Sequence, residues 1–91
     1  MARSKRLRIQ QQTVEYYVED AQHELNKVVK ACKSGLLDDA AILPWMEHAF
    51  HMLNAAFNMR YLTRERISKM SHDEWEAYLN PPKEIFSSGP Q

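Results

Sequence analysis

Three residues able to bind a metal ion lie close together in mid-chain: Glu47, His48 and His51. On a helix their side chains would span about 100° of the circumference, at about 100° per residue. Asp20 or Glu24 is expected at a similar level on a neighbouring helix, and carboxylate with imidazole suits zinc or iron. The spacing differs from the metal-binding patterns of zinc proteases and di-iron bundles. A metal-binding helical protein is therefore the third of our hypotheses.

The alternative is that Glu47 and His51 belong to a purely polar stripe. With Asn54 and Asn58 they follow a 4-3-4 spacing, which keeps the four side chains within an arc of about 60° on a helix. This interpretation predicts that all four side chains face solvent and that none of them binds a ligand.

Positive charge is concentrated at two places that are distant in sequence. If the two long predicted helices are antiparallel, they bring eight cations to one end of the molecule, a basic pole. Its members are Arg3, Lys5, Arg6, Arg8, Arg60, Arg64, Arg66 and Lys69. Such a pole is able to bind nucleic acid or another polyanion. The formal net charge is zero, however, and acidic residues follow directly, so polyanion binding is the alternative function.

The strongest pattern is the apolar character of residues 42–62, where 14 of 21 residues are apolar. A helix of this kind must be covered on several sides, and 91 residues provide little material to cover it. We therefore expect a homodimer, with a fully covered monomer as the alternative. The predicted interface consists of Trp45, Met46, Phe50, Met52, Leu53, Phe57 and Met59.

The first long helix is predicted from apolar residues in a 4-3-4-3-4 series. These residues are Val14, Val18, Ala21, Leu25, Val28 and Cys32, and they would form one buried seam with Cys32 as a small core residue. Tyr17 and Val29 are expected to widen this seam. Gly35 is expected to end this helix in the left-handed conformation, and Asp38 or Asp39 to begin the second. Pro44 is expected in the first turn of the second helix.

These signals predict an all-α fold. An antiparallel helical hairpin, residues 4–33 and 39–61, is followed by one or two short helices, residues 64–70 and 72–79. Thr63 and Ser71 are expected to cap the short helices. Two copies would build a core resembling a four-helix bundle.

Residues 1–82 are predicted to form a single domain and residues 83–91 a flexible tail. In the tail, Ile85 and Phe86 either dock on the hairpin or anchor another protein. Charged and amide side chains interrupt the apolar segment, and glutamines follow the basic residues near the start, so neither a membrane span nor a signal peptide is expected. With one cysteine, we expect a cytoplasmic protein.

No set of residues matches the spacing of a catalytic centre or of a nucleotide-binding loop. The leading hypothesis is a non-enzymatic interaction or accessory module that self-associates, without a cofactor. Besides a second copy of itself, this module is expected to be able to bind another protein as a partner.

Overall fold

The computed structural model describes residues 8–81, and all regular structure in this range is helical. The four helices are α1 (Gln11–Ser34), α2 (Asp39–Asn58), α3 (Arg64–Ser68) and α4 (His72–Ala77). The two long helices, α1 and α2, pack against each other as an antiparallel hairpin. The predicted all-α hairpin is therefore confirmed. Among the described residues, no helix has the length and apolar character needed to cross a bilayer.

The predicted helix boundaries need correction, above all at the start of α1. Gln10 is extended, with φ −89° and ψ 96°, so α1 begins at Gln11 and not at residue 4. The N–H of Gln10 donates to the carbonyl of Arg60 at 2.7 Å, a bond to the other end of the hairpin that replaces helical pairing. The other helices also end earlier than predicted, at residues 58, 68 and 77.

The turn between α1 and α2 forms as predicted. Gly35 has φ 71°, and the N–H groups of Gly35 and Leu36 donate to carbonyls in the last turn of α1. The Asp38 carboxylate accepts the N–H of Ala41 at 2.9 Å and so caps α2. Pro44, in contrast, is the sixth residue of α2 and does not lie in its first turn.

The core lies between α1 and α2 and contains several small residues. Tyr17 and Ala21 of α1 meet Ala49, Met52 and other buried residues of α2. Small side chains at these positions allow the two backbones to approach closely. Several large aliphatic residues lie at the sides of the hairpin, among them Val18, Leu25 and Leu53.

The predicted seam of α1 is confirmed for Tyr17 and Ala21 and wrong for one of its edges. Ala21 is buried, but Val18, Leu25 and Cys32 are exposed, and the buried face is formed by Thr13, Tyr17 and Ala21. Thr13 is 0% exposed, and its hydroxyl donates to the carbonyl of Leu62 at 2.7 Å. Polar contacts of this kind favour a rotation of α1 that apolar spacing alone did not predict.

The short helices α3 and α4 begin at the predicted caps. The hydroxyls of Thr63 and Ser71 accept the N–H groups of Arg66 and Glu74, both at 3.1 Å. Five apolar residues of this segment pack against the hairpin core: Ile67, Met70, Trp75, Tyr78 and Leu79.

Candidate functional site

The short helices cover one side of the hairpin. The guanidinium of Arg64 lies 3.7 Å from the ring centre of Tyr16, and the indole N–H of Trp75 donates to the hydroxyl of Tyr17 at 3.0 Å. On the same side, His48 Nε2 of α2 lies 3.3 Å from Asp20 Oδ1 of α1. These contacts define the covered side.

The opposite side of the hairpin carries two stripes of exposed apolar residues. On each of the two helices, angles around the axis can be measured from the face that contacts the other helix. Because α1 and α2 are antiparallel, residues about 100° from this face in the same sense of rotation lie on the same side of the hairpin. Asp20 and His48 are rotated in one sense and meet on the covered side, so residues rotated in the other sense lie opposite. Six such residues, which we call the open face, are Val18, Leu25, Val29, Met46, Phe50 and Leu53.

The chemistry of the open face resembles the inside of a helical bundle. Its six side chains are each between 37% and 50% exposed. The nearby positions Gln22 and Cys32 of α1 carry no formal charge. Along α2, apolar residues follow the 3-4-3-4 spacing that is typical of packing between two helices. These residues are Leu43, Met46, Phe50, Leu53 and Phe57. Both helices thus present an uncharged surface suited to further helices.

Four of the seven predicted interface residues belong to this side. Met46, Phe50 and Leu53 are members of the open face, and Phe57 lies at its edge. The guanidinium of Arg60 lies 3.9 Å from the ring centre of Phe57 and shields part of it.

The other three predicted interface residues lie elsewhere. Met52 and Met59 are 5% and 0% exposed, so both lie in the core of one chain and not on its surface. Trp45 is half-buried and lines a separate groove of about 300 Å³ near the hairpin turn, together with Ala31 and Leu36. When a helix is apolar on most of its circumference, its sequence does not show which face will pack against a neighbouring helix.

The predicted solvated stripe is wrong for its two asparagines. Asn54 is only 6% exposed, and its amide donates to the carbonyl of Leu79 at 2.9 Å. Asn58 donates to the carbonyls of Tyr78 and Asn80, both at 2.8 Å. These carbonyls follow the end of α4, where helical donors run out. One sequence signal points to these bonds: Asn80-Pro81 ends the helical segment, so the last carbonyls of α4 lack backbone donors.

Part of the basic pole is neutralised by neighbouring acids. Arg66 pairs with Glu74 at 3.2 Å and Lys69 with Glu65 at 3.5 Å. Arg3, Lys5 and Arg6 lie outside the described residues. The pairing of two cations with adjacent acids weakens the polyanion hypothesis, which stays a prediction.

Two other cations of the pole are stacked on aromatic rings. Arg60 lies over Phe57 and, at 4.5 Å, over Tyr61, while Arg64 lies over Tyr16. Arg8 is exposed just before α1. The antiparallel hairpin does bring Arg8 and Arg60 to the same end, as the bond between Gln10 and Arg60 demonstrates.

The predicted metal ligands are rearranged. Within residues 8–81, one group of potential ligands converges, and it joins His48 to Asp20 and Glu24 instead of Glu47 and His51. The ligand atoms of these three residues lie within 4.8 Å of one another. His51 instead lines an open groove beside α4.

A cleft of about 350 Å³ adjoins this group on the covered side. Asp20 and His48 form part of its wall, together with Arg64 and Trp75. The remaining lining residues are Tyr16, Tyr17, Met52, Ile67 and Ser68. The cleft combines aromatic walls with a few polar groups, as small-molecule sites do.

Comparison of the chain with protein-family models, with curated proteins and with solved structures finds no match.

Proposed function

We propose that this chain is a non-enzymatic interaction module that self-associates as a homodimer through its open face. The observation that carries the proposal is the exposure of Met46, Phe50 and Leu53 beside Val18, Leu25 and Val29. Contiguous apolar surfaces of this kind mark sites of protein association more often than plain surface.

The side of the hairpin that carries the open face is large enough for a dimer interface. The 20 residues of α2 give a length of about 30 Å, and two adjacent helices give a width of about 20 Å. This side of the hairpin therefore presents about 600 Å² per copy, or about 1,200 Å² for two copies, which reaches the lower end of the range for stable interfaces. The open-face residues of α1, from Val18 to Val29, occupy about half of its length.

A second copy of the hairpin is the occupant that fits this face best. Each copy contributes two long helices with apolar stripes, so two copies facing each other form four helices around one apolar centre. The centre of such an interface favours apolar and aromatic residues and disfavours charge. Met46 and Phe50, with uncharged Gln22 nearby, meet this requirement.

The proposal includes a cytoplasmic location. The single cysteine, Cys32, is exposed on α1 and has no second cysteine in the chain with which to form an internal disulfide. Chains without structural disulfides are typical of reducing compartments.

The test is the mass in solution, measured by light scattering coupled to size exclusion. For the wild-type chain we expect a mass close to twice the 10.7 kDa of one chain. Phe50→Asp and Leu53→Asp place a charge in the centre of the open face and should each give a helical monomer. Ile9→Asp is the matched control, because Ile9 is 52% exposed outside the open face, and it should remain a dimer.

A wild-type monomer at concentrations up to the hundred-micromolar range would contradict the proposal. So would an equal loss of mass in Ile9→Asp and Phe50→Asp, since association would then not depend on the open face. Circular dichroism of each variant distinguishes a folded monomer from an unfolded chain.

A further inference from the structure

We infer that Asp20, Glu24 and His48 form a zinc site that joins α1 to α2 at the edge of the cleft. This site lies on the covered side of the hairpin and is independent of the proposed dimer interface. It would give the chain a ligand-binding function in addition to self-association.

The geometry of the three side chains is close to that of a zinc site. Zinc takes tetrahedral coordination with bonds of about 2.0–2.2 Å to His nitrogen and carboxylate oxygen, which separates neighbouring ligand atoms by about 3.4 Å. His48 Nε2 and Asp20 Oδ1 are 3.3 Å apart. The Glu24 carboxylate lies within 4.8 Å of these atoms, so its side chain must turn towards them to reach the same ion.

The position of Glu24 distinguishes this group from an ordinary surface ion pair. Its side chain is only 14% exposed, one turn beyond Asp20 on α1. Two carboxylates and one imidazole thus converge from two helices, and a divalent cation would offset the repulsion between the carboxylates. The nearest cation to Glu24 is Lys27, whose Nζ lies 3.3 Å away.

Lys27 competes with a metal ion for Glu24. The side chain of Lys27 is 43% exposed, so it can swing into solvent when the carboxylate turns towards a metal. Removing this competitor should strengthen metal binding, whereas it would have no such effect if the group were only a network of ion pairs.

The proposed site borders the cleft. Both Asp20 and His48 line the cleft, while Glu24 lies outside its wall. Three protein ligands with one position open to water or to a small ligand are typical of functional zinc sites, and structural sites use four protein ligands.

The experiment is a calorimetric titration of the full-length, tag-free chain with Zn²⁺, supported by the absorption spectrum of bound Co²⁺. We expect one ion per chain. His48→Ala and Glu24→Gln should each weaken binding by at least about tenfold, since loss of even a supporting partner costs about 10- to 100-fold. Lys27→Ala should bind more tightly than the wild type, because the competing ammonium group is removed.

His51→Ala is the matched control, because it removes a histidine of the same helix that lies outside the group, and it should bind zinc like the wild type. Two results would overturn the inference: no stoichiometric binding to the wild-type chain, or an equal loss in His51→Ala and His48→Ala. The titration counts ions per chain, so its result does not depend on whether the chain is a monomer or a dimer.

Discussion

The side chain of Asn54 connects the long hairpin to the end of α4. Its amide is buried and donates to the carbonyl of Leu79, while Asn58, four residues later, supplies two further bonds to the same segment. A buried carbonyl that loses its donor retains the full cost of desolvation. We therefore attribute the position of α4 to these amides as much as to the packing of Trp75.

Asn54→Ala is expected to lower the free energy of unfolding by about 1–3 kcal/mol, because the carbonyl of Leu79 would lose its donor. Asn26→Ala is the control, since Asn26 is an exposed residue of α1 and its loss should change little. Urea denaturation followed by circular dichroism measures both. Equal stability of the two variants would mean that water replaces the amide of Asn54.

The turn at Gly35 determines how α1 and α2 meet. Its positive φ allows the N–H groups of Gly35 and Leu36 to bond to the end of α1, and Asp38 then begins α2. Apart from the two adjacent residues, a Cβ at this glycine would meet no atom within 4 Å. Any cost of a side chain there is therefore a cost of backbone conformation and not of packing.

Gly35→Ala should destabilise the chain by about 1–2 kcal/mol, the cost of placing an L-residue with a Cβ in the left-handed region. Gly35→Asn should cost less, because asparagine adopts this conformation more readily. Thermal or urea unfolding of the two variants gives the comparison. An alanine variant as stable as the wild type would show that the turn adopts another conformation without loss.

In the molecule as a whole, the two sides of the hairpin differ in what packs against them. The covered side is occupied by α3 and α4, which leave a cleft beside Asp20 and His48. The open face has no described segment over it. In a dimer built on the open face, the two clefts would lie on the outside and remain accessible.

Dimerisation predicts a melting temperature that depends on concentration. If only the dimer is fully stable, the wild-type melting temperature should rise when the protein is concentrated, because association favours the folded state by mass action. The melting temperature of Phe50→Asp should be lower and independent of concentration. A scanning calorimetry series over a hundredfold range of concentration tests this, and a constant wild-type value would contradict it.

Removing residues 83–91 tests whether the tail competes for the open face. Because we assign that face to a second copy, the truncated chain should keep the mass of a dimer in light scattering. A mass that increases only after truncation would instead indicate that Ile85 and Phe86 cover the open face in the intact chain.

The sequence by itself determined the local features of this protein. The caps at Asp38, Thr63 and Ser71 and the left-handed Gly35 were predicted correctly, because each depends on side chains or backbone within a few residues. The antiparallel hairpin followed from the short turn. The excess of apolar residues in α2 was also evident from composition.

Only the tertiary structure decided which faces of the helices are buried. Thr13 and Asn54 are buried because carbonyls distant in sequence, at Leu62 and Leu79, need their donors. Helical spacing gives the relative directions of side chains, but the rotation of the helix depends on the neighbours that it meets. For the same reason His48 converges with Asp20 and Glu24 of α1, whereas Glu47 and His51 of its own helix lie outside the group.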